Sequence, residues 1–286
     1  MRTLVQCLEQ PGIIKVPGIF DGLSCHLVTK AGFDAAFVSG AGLAFSRFGV
    51  PDIGLLGIHD IADTIRAIRE YNDLPLIVDI DTGFGNALNT QRTTKLLERA
   101  GANAMQLEDQ LMPKRCGHMA GKQVIPCAEM VGKIHAFVDA RRSADTLLIA
   151  RTDALGVEGF DEALYRAEQY LLAGADLLFI EAPTTREQMQ AISAEFGERV
   201  PLVHNLVEGG NSPISTSYDL AILNYKLALY PIALLNAFIP KAQHLLQHIQ
   251  ASGSTVDYQE ELWQLQQVND LLNVSDMLAV GDQYQP

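Results

Sequence analysis

The sequence predicts a closed (β/α)8 barrel, and three observations carry that prediction. Short apolar runs alternate with amphipathic stretches eight times along the 286 residues. Several of those runs end on a polar or charged residue, as strands do where a barrel opens to its ligand. An open doubly wound sheet is the alternative, but no Gly-x-Gly-x-x-Gly follows the first run.

In chain order, the strand-like runs are residues 13–19, 35–38, 75–78, 104–107, 147–150, 177–180, 201–204 and 226–229. Helix-like segments lie between them at 58–71, 90–100, 128–142, 160–173 and 186–196. Strand and helix in alternation imply parallel strands, and eight such units imply closure. The barrel is expected over residues 1–240 and a C-terminal helical segment over 241–286. In that segment Leu262, Leu265, Val268, Leu271 and Leu272, with Trp263 nearby, repeat at helical spacing. The stripe has to be buried against the barrel or a partner subunit.

The polar ends are Ser39 after the second run, Asp79 and Asp81 after the third, Glu108 after the fourth, Arg151 after the fifth, Glu181 after the sixth and Asn205 after the seventh. Carboxyl ends of barrel strands meet at one face, so these side chains are expected to converge on one mouth.

Composition narrows the class of ligand. The formal net charge of −13 argues against nucleic acid or an anionic membrane as the main partner. No apolar run is long enough to span a membrane, and Glu9 and Pro11 close behind Cys7 do not fit a signal peptide, so a soluble, cytoplasmic protein is expected. Cys7, Cys25, Cys116 and Cys127 have neither zinc-site nor disulfide-framework spacing, and reduced thiols are expected. Lys114, Arg115, His118 and Lys122 gather positive charge on one short segment of this acidic chain, which suits capture of a small carboxylate.

That segment, Glu-Asp-Gln-Leu-Met-Pro-Lys-Arg-Cys-Gly-His over residues 108–118, is expected to form an active-site lid. A thiol flanked by three cationic side chains sits in a field that favours thiolate or eases its proton transfer. Asp79 and Asp81 are two apart and share a face on extended backbone; with Glu108 they form a hard oxygen cluster suited to Mg²⁺ or Mn²⁺ held partly through water. Gly83-Phe84-Gly85 follows and permits a tight loop there. A metal holding a 2-hydroxy or 2-oxo carboxylate, with Arg151 facing it, points to carbon–carbon cleavage, with Cys116 protonating the enolate that departs.

The residues quoted resemble the isocitrate lyase and phosphoenolpyruvate mutase superfamily. Lys114-Arg115-Cys116-Gly117-His118 is similar to the signature of its lyase branch, and Val78-Asp79-Ile80-Asp81-Thr82-Gly83-Phe84-Gly85 to its metal-binding motif. The likeness extends through Ser39-Gly40-Ala41, Gly49-Val50-Pro51-Asp52, Ala150-Arg151-Thr152-Asp153-Ala154 and Phe179-Ile180-Glu181-Ala182. It implies an α/β barrel whose last helix is exchanged between subunits, a homotetramer, and Mg²⁺-dependent lyase chemistry with Cys116 as the acid/base. By position, Ser39, Gly40 and Ala41 would bind the pyruvate end. Asp52, Asp79, Asp81 and Glu108 would serve the metal shell, Arg151, Glu181 and Asn205 would orient substrate, Lys114, Arg151 and His118 would act with Cys116 in catalysis, and Gly117 would contact the substrate.

The chain also departs from the methylisocitrate lyases of that branch. Asn236 and, by alignment, Leu262 stand where those enzymes carry arginines for extra carboxylates. Residues 203–210 (Val-His-Asn-Leu-Val-Glu-Gly-Gly) are more similar to the dimethylmalate lyase group, whose proline Pro231 shares, where oxaloacetate acetylhydrolases have serine. The resemblance therefore implies a 2-alkylmalate such as 2,3-dimethylmalate, with 2-methylisocitrate as the alternative substrate. A phosphonate enzyme of the superfamily and a non-catalytic carboxylate-binding barrel are the remaining readings.

Overall fold

The computed structural model describes residues 2–117, 119 and 121–285. Its strands are buried along nearly their whole length and rich in Ile, Leu, Val and Ala, the pattern of parallel strands covered on both faces. They are β1 (Ile14–Ile19), β2 (Ala36–Val38), β3 (Leu76–Asp79), β4 (Ala104–Glu108), β5 (Leu147–Thr152), β6 (Leu177–Ile180), β7 (Val203–Asn205) and β8 (Leu227–Tyr230). All neighbours pair in parallel in the order β6-β5-β4-β3-β2-β1-β8-β7. A parallel bridge between Leu178 and Leu202 brings β6 to the residues leading into β7, so the predicted barrel closes.

Helix α1 (Leu4–Glu9) precedes β1, and between the strands lie α2 (Gly22–Lys30), α3 (Gly40–Leu43), α4 (Ile58–Arg69), α5 (Ala87–Ala100), α6 (Cys127–Ala140), α7 (Phe160–Leu172), α8 (Arg186–Phe196) and α9 (Ser217–Ile222). Asp21, Asn86, Thr185 and Thr216 start α2, α5, α8 and α9 by accepting a backbone N–H that the helix leaves unpaired.

Alternation along each strand positions the site. Inside the barrel Val16, Phe37, Ile77, Ala104, Ile149, Phe179, Val203 and Leu229 belong to one packed core, which Leu4 and Cys7 of α1 join. Side chains two residues apart share a face. Two residues beyond those core positions stand Ser39, Asp79, Gln106, Arg151, Glu181, Asn205 and Pro231. The polar rim is thus a continuation of the apolar floor along the same inner faces.

Two compact units divide the chain, Met1–Ala233 and Leu234–Pro286. The second contains most of α10 (Ala233–Ser252), then α11 (Leu265–Leu271) and α12 (Val274–Asp282). Pro240 lies inside α10, where it removes one backbone donor. His248 stacks at 4.8 Å on Tyr258, tying α10 to the turn that follows. Of the stripe expected there Leu271 is buried, whereas Leu265 is 75% exposed in the single chain and Trp263 is also open. Among the described residues no helix is long and apolar enough to cross a membrane.

Gly18 of β1 faces the backbone of Pro231, and a Cβ at that position would overlap the Pro231 carbonyl. A main-chain carbonyl cannot swing aside as a side chain can. Gly18→Ala is therefore expected to destabilise the fold by about 1–3 kcal/mol, the usual cost of overpacking. It should lower the urea midpoint at constant slope; an unchanged midpoint would contradict the close approach.

Candidate active site

The acids enter first. Asp79 ends β3, and Asp81 follows with its backbone in the left-handed region at φ 46°, uncommon for a side-chain-bearing residue. The Asp81 amide donates to Asp79 Oδ1 at 3.1 Å, and the Glu108 amide donates to the Asp81 carbonyl at 2.9 Å. The two strand ends are thereby locked together. Glu108 is 2% exposed, and Asp52 adds a fourth carboxylate from the loop before α4. Burial, reinforced by Asp81, pushes the Asp79 carboxyl up to about 6. Burial also raises Glu108 well above the carboxylate range against the opposing pull of Arg151 and Lys114.

Lys114 is 4% exposed and its Nζ lies 2.5 Å from Asp52 Oδ1 and 2.9 Å from Asp81 Oδ1. Burial works against its charge, but Asp81, Glu108, Asp79 and Asp52 outweigh that and keep it protonated. Lys114 lines the same cavity as Cys116, and carboxylates match its charge there. A buried ammonium needs carboxylates beside it, and Lys114 is turned into the acid nest.

Arg151 is held from several sides. Its Nε and NH2 donate to Asp153 at 2.9 and 3.1 Å, NH1 lies 3.3 Å from Glu108 Oε2, and Nε lies 3.8 Å from Glu181 Oε2. Strand register pairs Glu108 directly with Arg151. Asn205 Nδ2 donates to Glu181 at 3.3 Å, which steadies the far side. Burial alone would raise Asp153, yet Arg151 and Lys122 overcome it and hold this carboxyl below its usual range. Behind Asp153 sits Asp109, fully buried, accepting from the Asp153 amide at 2.9 Å, Thr152 Oγ1 at 2.7 Å, Tyr170 OH at 2.7 Å and Arg166 NH1 at 3.3 Å.

The predicted lid leaves the barrel at Gln110 and returns at Val124, where the two limbs meet in an antiparallel bridge. Arg166 NH1 donates to the Ile125 carbonyl at 2.8 Å and anchors the returning limb. Gln110 clamps the outgoing limb, its Nε2 donating to the Arg115 carbonyl at 2.9 Å and its Oε1 accepting from the Arg115 amide at 3.0 Å. At the tip Lys122 Nζ donates to the Gly117 carbonyl at 2.5 Å and to Asp153 at 2.8 Å. Gly117 lies directly on the site: a Cβ there would strike the Arg151 guanidinium and the Glu181 carboxylate.

One cavity of about 60 Å³ is lined by Ser39, Ala41, Asp52, Asp79, Glu108, Lys114, Cys116, Gly117, Arg151, Glu181 and Asn205. The structure thus gathers almost every site residue expected from the sequence. Gly40 packs against Asp79, and Ser39 Oγ caps α3 by accepting from the Gly42 amide at 3.0 Å. His118 lies outside the described residues. Sequence reasoning gave no role to Asp153 or Gln106, and it read Lys122 as one of the segment's cations rather than as a latch. The period-two step could have found the first two, since Asp153 is two beyond Arg151 and Gln106 two before Glu108.

Among the described residues no three Asp, Glu, His or Cys side chains are grouped closely enough to cage an ion directly. Glu108 Oε1, Gln106 Oε1 and Asn205 Oδ1 are buried with no hydrogen-bond partner among those residues. Hard oxygens with unmet acceptor capacity fit a cation that keeps much of its own water.

Comparison with known proteins places this geometry. Residues 4–249 match the family described as phosphoenolpyruvate phosphomutase. The chain is 37% identical over 286 residues to a 2,3-dimethylmalate lyase of Eubacterium barkeri, covering 99% of this chain and 96% of that one. It is 40% identical over 276 residues to a 2-methylisocitrate lyase of Aeropyrum pernix, covering 96% and 87%. Among solved structures, a 2,3-dimethylmalate lyase superposes with TM-score 0.92 at 32% identity, covering 99% of this chain and 96% of that one. A phosphonopyruvate hydrolase in complex with oxalate and Mg²⁺ superposes with TM-score 0.88 at 29% identity, covering 98% and 97%. Fold, length and identity together make this chain an enzyme of the phosphoenolpyruvate phosphomutase family.

Proposed function

We propose that the chain is a divalent-metal-dependent carbon–carbon lyase that cleaves a 2-alkylmalate such as 2,3-dimethylmalate to pyruvate and a short carboxylate. The observation that carries this reading is the single cavity in which the Cys116 thiol stands with Arg151 and the buried acids. The names of the E. barkeri and A. pernix relatives support it, as does the Mg²⁺ in the phosphonopyruvate hydrolase complex.

Asp52, Asp79, Asp81 and Glu108 would hold Mg²⁺ or Mn²⁺, largely through its waters. When bound, the ion supplies Lewis-acid stabilisation of charge on substrate oxygens. Arg151 binds a substrate carboxylate, and the contacts that pin it mean little orientation has to be lost on binding. Glu181 and Asn205, paired with each other, orient the substrate beside it. Ser39, Gly40 and Ala41 receive the end that becomes pyruvate. As the C2–C3 bond breaks, its electron pair passes to C3, and the C2 hydroxyl gives its proton to a base of the site as C2 becomes a ketone, the proton that later restores the Cys116 thiol. Cys116 delivers a proton to C3 and is left as the thiolate, to be reprotonated before the next turnover. With Gly117 seated on Arg151 and Glu181, water is kept from the carbanion. His118 completes the lid in this reading. The remaining space admits about four or five water-sized groups, so a substrate of this size enters with the lid raised.

Substrate size follows from the sequence. Asn236 and Leu262 offer no charge to a third carboxylate, and Pro231 lines the cavity with a ring that has no donor. The assembly we propose is a homotetramer with exchanged C-terminal helices, working in the cytoplasm. Phe238, Leu246, Leu265 and Leu278, open in the single chain, support the exchange.

Activity should vanish with chelator and return with Mg²⁺ or Mn²⁺; full turnover of chelator-treated, metal-free enzyme would sink the metal role. Cys116→Ser keeps the shape of the acid but makes it far weaker. It should cut turnover by about 10²–10⁴-fold while substrate still binds, and near-normal turnover would rule out Cys116 as the proton donor. A desolvated third carboxylate without a partner costs about 3–5 kcal/mol. The ratio of kcat/KM for 2,3-dimethylmalate over 2-methylisocitrate should thus be at least about a hundredfold, and Asn236→Arg should narrow it. A wild type that prefers 2-methylisocitrate would move the assignment to that substrate.

A further inference from the structure

The cavity contains a polar group to which the reaction above gives no task. Gln106 stands on β4 two residues before Glu108, so its amide projects from the same inner face one layer deeper. Strand register sets it beside Asp79. It is 1% exposed, lines the cavity, and its Oε1 has no hydrogen-bond partner among the described residues. A buried amide oxygen in that condition is destabilising and calls for a partner beyond the described residues.

The character of the unmet groups identifies the partner. Glu108 Oε1 and Asn205 Oδ1, from residues lining the same cavity, are also buried without a donor among the described residues. All three are acceptors. A substrate carboxylate offers only more acceptors, and a substrate hydroxyl offers one proton. A hydrated Mg²⁺ presents two protons on every water it retains, and it dehydrates reluctantly.

We propose that Gln106 is a positioning residue for the metal's water shell, its Oε1 accepting from a water on the ion held by Asp79, Asp81 and Glu108. The proposal rests on the metal-dependent reading above. A neutral acceptor suits the place, because another carboxylate would add to the repulsion around Asp79.

The test is calorimetric titration of Mg²⁺ into the metal-free full-length chain, with a thermal melt of each metal-free protein. Gln106→Met matches the side chain in length and removes the acceptor. It should weaken Mg²⁺ binding by about tenfold or more, the usual effect of losing a group that orients a metal's ligands. The metal-free variant should melt at or above the wild-type temperature, because an unsatisfied acceptor has gone. Gln106→Glu retains an acceptor and should bind Mg²⁺ at least as tightly as wild type. Mg²⁺ affinity within twofold of wild type in Gln106→Met would overturn the proposal. So would a lower melting temperature or failure to fold in that variant, since the side chain would then be serving the packing. A wild type that neither binds Mg²⁺ nor needs it would instead remove the metal-dependent reading itself.

Discussion

A guanidinium that cannot release its proton lies buried at the mouth of this barrel, and the rest of the site is arranged around that charge. Arg151 requires carboxylates, and Asp153, Glu108 and Glu181 answer it. Each carboxylate drawn below the surface needs compensation in turn. Lys122 supplies it to Asp153, and Lys114 to Asp52 and Asp81. Compensation is least complete at Asp79 and Glu108, whose protonation burial favours. Asp79 and Glu108 are thus the two acids of the rim whose charged form the chain itself supports least.

Lys114 and Lys122 both belong to the segment that carries Cys116, so the same stretch of chain that brings the thiol to the cavity also balances the acids Asp52, Asp81 and Asp153. The lid is not tethered by its tip alone. Its base is bridged at Gln110 and Val124, and Arg166 joins the returning limb to the same buried Asp109 that supports Asp153. One network thus holds Arg151, the strand ends and the base of the segment between Gln110 and Val124 in a fixed relation.

The eight strands were legible because strands covered on both faces read as unbroken apolar runs. Their ends were less so: Asp79, Glu108, Arg151 and Thr152 remain strand because the hydrogen-bond ladder continues past the last apolar side chain. α1 was missed because six residues started by a Thr3–Gln6 capping box are too few to show a period. The rim acids were readable from strand ends, since alternation fixes their face. Lys114 and Cys116 line one cavity, but the ion pairs of Lys114 with Asp52 and Asp81 were not legible, because the chain there is a loop and no strand geometry fixes where its side chains turn. The Asp109, Arg166 and Tyr170 cluster was beyond reach, because only the completed fold joins residues separated by 57 and 61 positions.

The two-residue step that turns an apolar floor into a polar rim also limits how such an enzyme can change over evolutionary time. Exchanging one rim side chain for another leaves the layer beneath untouched, so new reactivity can be tried without unpacking the barrel. Inserting or deleting a single residue within β3, β4 or β5 has the opposite effect. It would turn every later side chain on that strand toward the helices and bring its neighbour inward, exchanging Asp79 for Val78 or Ile80 and Arg151 for Ala150 or Thr152. Diversification on this scaffold is open to substitution and closed to frame changes, which leaves length variation to the lid and the loops between strand and helix.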